Sequence, residues 1–276
     1  MPILDGLLGT AQKKLSRSRL AVFAARMIRN QAEMVLQWYL GEDNKREANG
    51  EWELIAEVAP SLGSFIDVGA NVGDWSDLFL RSGQGQKRGI LIEPSGSAFA
   101  KLQTRFRKNA QVRVIRAAVS DEIGEASFYE EDDAGETSSL LDFSHPQGRV
   151  TDLVRVPLTT VDHEVTAAGW ASVDMLKIDT EGYDFHVIRG AKCLLDRQAI
   201  GLLQFEYGGG WAHAGSTLAA ALTFLQNRHY KVFLIRTTGL HPLNYQRWGE
   251  YYRTSNYLAV SPKCLPLVSR LIKPEV

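Results

Sequence analysis

The sequence has only two cysteines, Cys193 and Cys264, and they lie far apart. Structural zinc sites need cysteines and histidines at short, regular spacing, and disulfide frameworks in secreted proteins need an even, dense set of cysteines. The sequence shows neither pattern. We therefore expect a protein of a reducing compartment that contains no disulfide framework and no zinc centre.

Long apolar runs and an excess of one charge are also missing. No run approaches the roughly 20 residues of a membrane-spanning helix, and the N-terminus lacks the apolar segment of a signal peptide. The 31 Lys and Arg residues nearly balance the 32 Asp and Glu residues, giving a net charge of −1. Nucleic-acid-binding proteins usually show a clear basic excess. The composition therefore predicts a soluble, cytoplasmic protein without a nucleic-acid partner.

Positive charge is concentrated near the N-terminus. Residues 1–40 contain six basic and two acidic side chains, a net charge of +4. From Ser16 to about Leu40 apolar residues recur every three or four positions, which predicts an amphipathic helix. We assign residues 1–50 to an N-terminal helical arm and residues 51–276 to the main domain. Covering the active site or packing in a homo-oligomer is the simpler role for the arm, and peripheral contact with an anionic membrane is the alternative.

The rest of the chain alternates apolar strands with helical stretches, which is typical of a doubly wound α/β fold. No helix separates the last two strands, so they should pair antiparallel. The pattern predicts a seven-stranded, mostly parallel sheet with an antiparallel last strand, and an insertion at about 126–157 containing two β-like pieces. The predicted strands are 64–68, 89–93, 112–116, 173–178, 201–206, 231–236 and 256–260, and the predicted helices between them are 74–82, 95–109, 162–168, 184–196 and 215–229.

A glycine-bearing turn and a distant glutamate indicate a nucleoside cofactor. The first strand ends at Asp67 and enters a turn that contains Gly69, Asn71 and Gly73. Such a turn lets backbone amides and a helix N-terminus approach a ligand closely. Twenty residues after Gly73, the second strand ends in Glu93, where nucleotide-binding α/β folds place the carboxylate that binds the two ribose hydroxyls.

The residues favour S-adenosylmethionine over NAD. In the turn, Asn71 occupies the place of the middle glycine of the dinucleotide-binding pattern. The asparagine amide suits an amino-acid carboxylate better than a pyrophosphate. The chain also has no Tyr-x-x-x-Lys pair, which one common class of hydride-transfer enzymes uses. An NAD-linked oxidoreductase stays the alternative within enzymes.

Acidic side chains collect where the predicted strands end. Strand four ends at Lys177, Asp179 and Glu181, and strand five ends at Glu206. Ligands of open α/β sheets bind at these carboxyl ends, and a hydroxyl nucleophile needs a proton acceptor or a metal beside it. Asp179, Glu181 and Glu206 are therefore candidates for the general base and for a divalent metal site (Mg²⁺).

Each of these residues also has a structural alternative. Lys177 shares a sheet face with Asp179, so it would orient that carboxylate or stabilise the developing alkoxide, or the two would form a purely structural ion pair. Asp179 and Glu181 could also cap the following helix. His213, which follows three glycines, is the best histidine candidate for a general base, and an exposed loop histidine is its alternative. His145 is a weaker candidate, and His186 is more simply structural.

Several motifs together resemble one known family. They are Asp67-Val-Gly-Ala-Asn-Val-Gly73, Ile92-Glu93-Pro94, Thr159-Thr160-Val161-Asp162, Leu176-Lys-Ile-Asp-Thr-Glu-Gly182, Val187-Ile188-Arg189-Gly190-Ala191 and Phe205-Glu206. Over about residues 50–208 this series resembles the FkbM family of S-adenosylmethionine-dependent methyltransferases. The resemblance implies a Rossmann-like class I methyltransferase fold and O-methylation, commonly of sugar hydroxyls in glycans, glycolipids or natural products. A non-catalytic cofactor-binding module is the alternative from another class.

The residues and the resemblance together define the candidate site. The candidates for cofactor binding are Asp67, Gly69, Asn71, Gly73, Glu93, Pro94, Ser120 and Asp179. The catalytic candidates are Lys177, Asp179, Glu181, Glu206 and His213. The acceptor itself is expected to be a small molecule or a glycan.

Overall fold

The computed structural model describes residues 2–40, 48–83, 85–131, 139–141 and 151–276, except for the side chains of residues 2–8, 131 and 151. The chain divides into two compact units, Met1–Glu42 and Asp43–Val276.

The first unit contains two helices, α1 (Pro2–Leu15) and α2 (Arg19–Leu40). Helix α2 confirms the predicted amphipathic helix. Helix α1 was not predicted, since Gly6 and Gly9 lower the helix propensity of that stretch. Nowhere in the described part of the chain is a helix both long enough and apolar enough to cross a membrane.

The second unit contains eleven strands and ten α-helices within its described residues. The strands are β1 (Ser64–Val68), β2 (Arg88–Ile92), β3 (Val112–Ile115), β4 (Ala118–Val119), β5 (Gly124–Glu131), β6 (Thr151–Thr159), β7 (Val173–Ile178), β8 (Ile200–Tyr207), β9 (Lys231–Arg236), β10 (Gly239–Pro242) and β11 (Ser255–Val260). The helices are α3 (Glu51–Val58), α4 (Asp74–Arg81), α5 (Gly96–Phe106), α6 (Val161–Ala167), α7 (Asp184–Arg189), α8 (Lys192–Asp196), α9 (Gly210–His213), α10 (Leu218–Gln226), α11 (Tyr245–Trp248) and α12 (Leu265–Val268).

The main sheet has the strand order β10-β9-β11-β8-β7-β1-β2-β3. Strands β3, β2, β1, β7 and β8 pair in parallel, and β11 runs antiparallel to both β8 and β9, which confirms the predicted reversal of the last long strand. The sheet has eight strands rather than the predicted seven, because β10 folds back against β9. Glycine and proline bound this short edge strand, and both residues are rare in strands, so the pattern did not reveal it.

The insertion after β3 forms a second sheet of order β4-β6-β5. Strands β5 and β6 pair antiparallel from Gly124 opposite Leu158 to Glu131 opposite Thr151, which confirms the two predicted β-like pieces. Phe128 and Val156 belong to its small apolar core. Residues 132–138 and 142–150 of the insertion lie outside the described residues.

The core lies on both faces of the main sheet. Strand β1 is buried at all five positions, as expected for a central parallel strand. Phe65 on β1 packs against Phe79 of α4 with ring centroids 4.6 Å apart, and Trp75 stacks on Phe79 at 5.3 Å. These contacts fix α4 beneath the turn that follows β1.

The predicted helix 184–196 is two short helices, α7 and α8. They are separated at Gly190, where an added Cβ would lie 1.9 Å from the carbonyl oxygen of Ser120. The backbone comes this close to the end of β4 only because the residue has no side chain.

Candidate active site

A cavity of about 720 Å³ opens at the carboxyl ends of β1, β2, β7 and β8. This volume is within the range of pockets that enclose a small molecule or cofactor. Among the candidates from the sequence, the residues that line it are Gly69, Asn71, Glu93, Pro94, Asp179, Glu181 and Glu206. Further lining comes from Glu51 and Trp52 of α3, Ala117–Val119, Ser139, Leu140 and Thr254.

The turn after β1 has to contain glycine for two different reasons. Gly69 has φ 74°, and a Cβ there would lie 1.8 Å from the carbonyl oxygen of Asp179. Gly73 has φ 87°, and a Cβ there would lie 2.5 Å from the ring of Phe106. Gly69 therefore permits the contact between the ends of β1 and β7, whereas Gly73 seats α4 against α5 and does not itself line the cavity.

Glu93 is held in the cavity wall by two backbone N–H groups. Its Oε2 accepts from the N–H of Asn71 at 2.7 Å, and its Oε1 accepts from the N–H of Ser95 at 2.9 Å. Only 6% of Glu93 is exposed, and burial raises the pKa of the carboxyl to about 7. Each oxygen retains a lone pair for a further donor, so the carboxylate can accept hydrogen bonds from a ribose diol.

The nearby lining also fits a nucleoside. Ala117, Ala118 and Val119 give the cavity a small, mostly apolar section. Such a section suits the flat face of an adenine ring, and the turn at Gly69 leaves room for the rest of the cofactor. The residues present therefore fit the predicted S-adenosylmethionine.

Lys177 lies buried between two carboxylates. Its Nζ is 3.1 Å from Asp179 Oδ2 and 3.5 Å from Asp67 Oδ1. Only 2% of Lys177 is exposed and Asp67 is fully buried, with its Oδ2 accepting from the Ser76 hydroxyl at 2.6 Å. Neither Lys177 nor Asp67 lines the cavity. Asp67, a candidate for cofactor binding, therefore does not face the cavity. Lys177 supports Asp179, which does line the cavity, from behind, and orienting this carboxylate is one of the roles predicted for it.

Glu206 faces the cavity in a markedly acidic environment. Burial, together with the nearby carboxylates of Asp179, Glu181, Asp184 and Glu51, raises its pKa well above the ordinary value. Asp184 is fully buried beside it and accepts from the N–H of Glu206 at 3.2 Å. Burial and the charge of Asp179 raise the pKa of Asp184 to about 7. A carboxylate with a raised pKa is a stronger proton acceptor near neutral pH than an exposed one.

Glu181 is presented to the cavity by an unusual backbone conformation. Its φ is 53°, and the next residue, Gly182, has φ 101° and packs so closely that a Cβ would lie 2.6 Å from the Cα of Gly210. A non-glycine residue in the left-handed region costs free energy and occurs often at functional sites. The hydroxyl of Ser139, from the insertion, donates to the carbonyl oxygen of Glu181 at 3.3 Å. The insertion therefore reaches the cavity beside Glu181.

A family model described as the methyltransferase FkbM domain matches residues 67–232, which is more than half of the chain. The chain belongs to the FkbM methyltransferase family. Its fold, a mostly parallel sheet with an antiparallel β11, is that of the class I S-adenosylmethionine-dependent methyltransferases. This confirms the fold class predicted from the sequence. No curated protein matches the sequence.

Solved structures with similar folds include three methyltransferases. They are methyltransferase FkbM from Methylobacillus flagellatus KT (13% identity, 85% of this chain and 60% of that chain, TM-score 0.45), precorrin-6y C5,15-methyltransferase from Geobacter metallireducens GS-15 (12%, 79% and 90%, TM-score 0.41) and the O-methyltransferase TomG from Streptomyces achromogenes (12%, 76% and 79%, TM-score 0.38). The chain thus spans 60% of the length of the Methylobacillus protein.

Besides Asp67, Gly73 and Lys177, two further candidate residues of this FkbM-family protein do not line the cavity. His213 is exposed on α9. Ser120 is 1% exposed and its hydroxyl donates to Asp121 at 3.0 Å, although its neighbours Ala117–Val119 do line the cavity. His186 stacks on Tyr183 at 4.2 Å, as expected for a structural histidine. His145 lies outside the described residues.

The magnesium site for which Asp179, Glu181 and Glu206 are candidates is not supported. Over the described ranges, no three acidic, histidine or cysteine side chains are grouped as metal ligands. Asp179 is instead paired with Lys177, so the ammonium group supplies positive charge next to this carboxylate.

Glu51 of this FkbM methyltransferase was not among the site residues predicted from the sequence. Three side-chain amides donate to its carboxylate: those of Asn49 and Gln204, each at 2.7 Å, and that of Asn256 at 2.9 Å. It is 4% exposed and borders the same cavity as Glu206. From the sequence, a glutamate in the first turn of a helix indicates only a favourable helix-dipole interaction. Two of its three partners, Gln204 and Asn256, are brought from distant strands by the sheet order, so no local pattern could reveal them.

Proposed function

We propose that this FkbM-family methyltransferase transfers the methyl group of S-adenosylmethionine to a hydroxyl of a sugar or of a sugar-bearing metabolite, such as a glycan, a glycolipid or a natural product. The observation that carries the proposal is the position of Glu206. This carboxylate, whose pKa is raised, lies at the cavity beside Asp179, Glu181 and Glu51. Several adjacent carboxylates suit a polyol, because each can accept a hydrogen bond from a hydroxyl group.

The cofactor end of the cavity has the groups that S-adenosylmethionine needs. Glu93 would accept from its ribose hydroxyls, the Gly69–Asn71 backbone would hold its methionine portion, and Ala117–Val119 would contact the adenine. The cofactor supplies an activated methyl group on a sulfonium centre, so the protein has mainly to align the acceptor and manage its proton.

Glu206 is the proposed general base. A sugar hydroxyl is a poor nucleophile at neutral pH, and accepting its proton during attack promotes the transfer. Lys177 acts indirectly: held by Asp67, it keeps the carboxylate of Asp179 in place at 3.1 Å, and Asp179 orients the acceptor. Trp52, beside Glu51 in the cavity wall, offers an aromatic surface to the apolar face of a sugar ring.

The first experiment measures methyl transfer directly. The purified protein is incubated with S-adenosylmethionine labelled in its methyl group and with a panel of nucleotide sugars, oligosaccharides and glycolipids. We expect label in at least one carbohydrate, stable to conditions that hydrolyse esters, with equal release of S-adenosylhomocysteine. Label on a nitrogen or carbon atom would contradict the proposal.

A second experiment tests the residue roles. Glu206→Gln should lower kcat by about 100-fold or more, because a general base is lost, while the affinity for S-adenosylhomocysteine changes by less than about twofold. Glu122→Gln, at an exposed position, is the matched control. Asp179→Ala and Glu181→Ala should also impair transfer. Full transfer by both variants, with cofactor still bound, would remove these residues from the site.

The same experiments distinguish an active methyltransferase from a non-catalytic cofactor-binding module. It would bind S-adenosylhomocysteine normally and yet transfer no methyl group to any acceptor of the panel. The hydride-transfer alternative is not supported, since the family that the chain belongs to consists of methyltransferases.

A further inference from the structure

One side of helix α2 is a broad apolar surface. When the helix is viewed along its axis, at 100° per residue, the seven apolar residues of this surface fall within an arc of roughly 140°. Each is between 47% and 78% exposed. We call this set the apolar face of α2: Leu20, Phe23, Met27, Ile28, Met34, Val35 and Trp38.

The other side of α2 carries its three arginines, together with the smaller exposed apolar residues Val22 and Leu36. Arg19 and Arg26 lie next to the border of the apolar face on the same helical projection, and Arg29 lies opposite its centre, paired with Glu33 at 3.3 Å. Glu33 is the only acidic residue of the helix sequence. Residues 1–40 carry a net charge of +4 in a chain whose total is −1, so the rest of the chain carries −5. The segment that exposes the apolar face therefore has a net positive charge, whereas the rest of the chain has a net negative charge.

We propose that α2 binds the surface of an anionic lipid bilayer, lying in the interface with its apolar face toward the acyl chains. Interfacial helices combine a large aromatic and aliphatic face with arginine and lysine on the polar side, and their affinity depends on both burial and attraction to anionic lipids. Phe23 and Trp38 supply the aromatic groups, and tryptophan favours the headgroup region. The helix lies on the membrane and does not cross it, in agreement with its arginines and its low overall hydrophobicity.

A second copy of the chain fits the apolar face less well. Pairing two arms would bring two segments of +4 together with few acidic residues to offset the repulsion. The apolar arc is also broader than the narrow seam that two paired helices bury. An anionic bilayer is a flat surface of opposite charge, and it can cover the whole arc.

Vesicle flotation of the full chain tests the proposal. We expect the protein to float with vesicles of phosphatidylcholine mixed with phosphatidylglycerol, to float much less with phosphatidylcholine alone, and to be released when NaCl is raised from about 50 to about 500 mM. The double variant Phe23→Ser with Ile28→Ser should lower the partition coefficient by about tenfold or more. Its matched control, Ile123→Ser with Leu153→Ser, removes two apolar side chains that are 64% and 60% exposed in the second unit, and it should bind as the unaltered protein does.

Two double variants that reverse charge distinguish electrostatic attraction to the lipids from burial of apolar side chains. Arg19→Glu with Arg26→Glu should weaken binding to the anionic vesicles by about tenfold or more. Lys101→Glu with Lys263→Glu makes the same change of charge at exposed positions of the second unit and should have little effect. Circular dichroism and binding of S-adenosylhomocysteine, which the N-terminal variants should retain, show that each variant is folded.

Three results would overturn the proposal. They are no flotation with the anionic vesicles, an equal loss in the control variants, and a dimer that forms in the absence of lipid and is abolished by Phe23→Ser with Ile28→Ser. The last result would assign the apolar face to a second copy. None of these readouts depends on methyl transfer, so the failure of this proposal and the failure of the proposed function are distinguishable.

Discussion

At the scale of single residues, the site depends on charges that are buried in partnership. Asp179 lies two residues after Lys177, just past the end of β7, so their proximity could be predicted from the spacing. The third partner could not, because Asp67 comes opposite Lys177 only through the parallel register of β1 with β7. Burying an unpaired ammonium group costs several kcal/mol of folding free energy, about the desolvation penalty of one ion. The carboxylates of Asp67 and Asp179 offset this penalty and so permit the burial of Lys177.

Glu93 is the residue on which cofactor affinity should depend most. Glu93→Gln removes the charge and turns an amide nitrogen toward one of the two backbone N–H groups that Glu93 now accepts from. We expect the affinity for S-adenosylhomocysteine, measured by calorimetry, to fall by about tenfold or more, since hydrogen bonds to a charged group are lost. Glu130→Gln is the control, because that carboxylate accepts from Ser95 nearby without lining the cavity. An affinity within twofold of the unaltered protein would contradict the assignment of Glu93.

Asp184 should make stability depend on pH. Its pKa is raised to about 7 in the fold from 3.8, so between about pH 4 and 7 the folded protein binds more protons than the unfolded chain. The free energy of unfolding therefore falls as pH rises through this range, by at most about 1.4 kcal/mol per pH unit for this group. Asp184→Asn should flatten that slope, as measured by urea unfolding at several pH values.

The control for this measurement is Asp152→Asn, which removes an exposed carboxylate. It should leave the slope unchanged. If Asp184→Asn also leaves it unchanged, the buried carboxyl does not titrate as its environment indicates.

At the scale of elements, the strands and their ends were the most predictable part of the molecule. Each long strand of the main sheet lies within one or two residues of its predicted position, because apolar runs bounded by polar turns define it locally. The division into α7 and α8 was not predictable, since it comes from the contact of Gly190 with the backbone of Ser120.

Gly69 lies where the end of β1 contacts the end of β7. Replacing it, and comparing the result with a control glycine, distinguishes the cost of steric overlap from the cost of backbone strain. Gly69→Ala places a Cβ 1.8 Å from the carbonyl oxygen of Asp179 at φ 74°. Gly169→Ala is the matched control, with φ 68° and no atom within 4 Å of the added Cβ. We expect the control to lower the free energy of unfolding by about 1 kcal/mol, through strain alone. Gly69→Ala should lower it by at least about 2 kcal/mol more and should impair cofactor binding. Equal losses in urea unfolding would show that the two strand ends are not in close contact.

At the scale of the whole molecule, cofactor binding should stabilise the unit Asp43–Val276. S-Adenosylhomocysteine at about 100 times its Kd should add about 2.7 kcal/mol to the free energy of unfolding, because it binds only the folded state. For a unit of this size that corresponds to a rise of roughly 5–10 °C in Tm, measured by calorimetry. NAD at the same concentration should cause no rise, and a comparable rise with NAD would contradict the choice of cofactor.

The sequence by itself determined the long strands of the main sheet, the glycine turn after β1, the glutamate that follows β2 and the acidic residues at the ends of β7 and β8, because each depends on neighbours within a few positions. The chain alone could not determine which of those side chains face the cavity. Tertiary structure decided that Asp67 and Lys177 support Asp179 from behind, that His213 does not line the cavity, and that Glu51 and Ser139 do. The physical reason is that strands distant in sequence become neighbours in the sheet, so buried charges acquire partners that no local spacing contains.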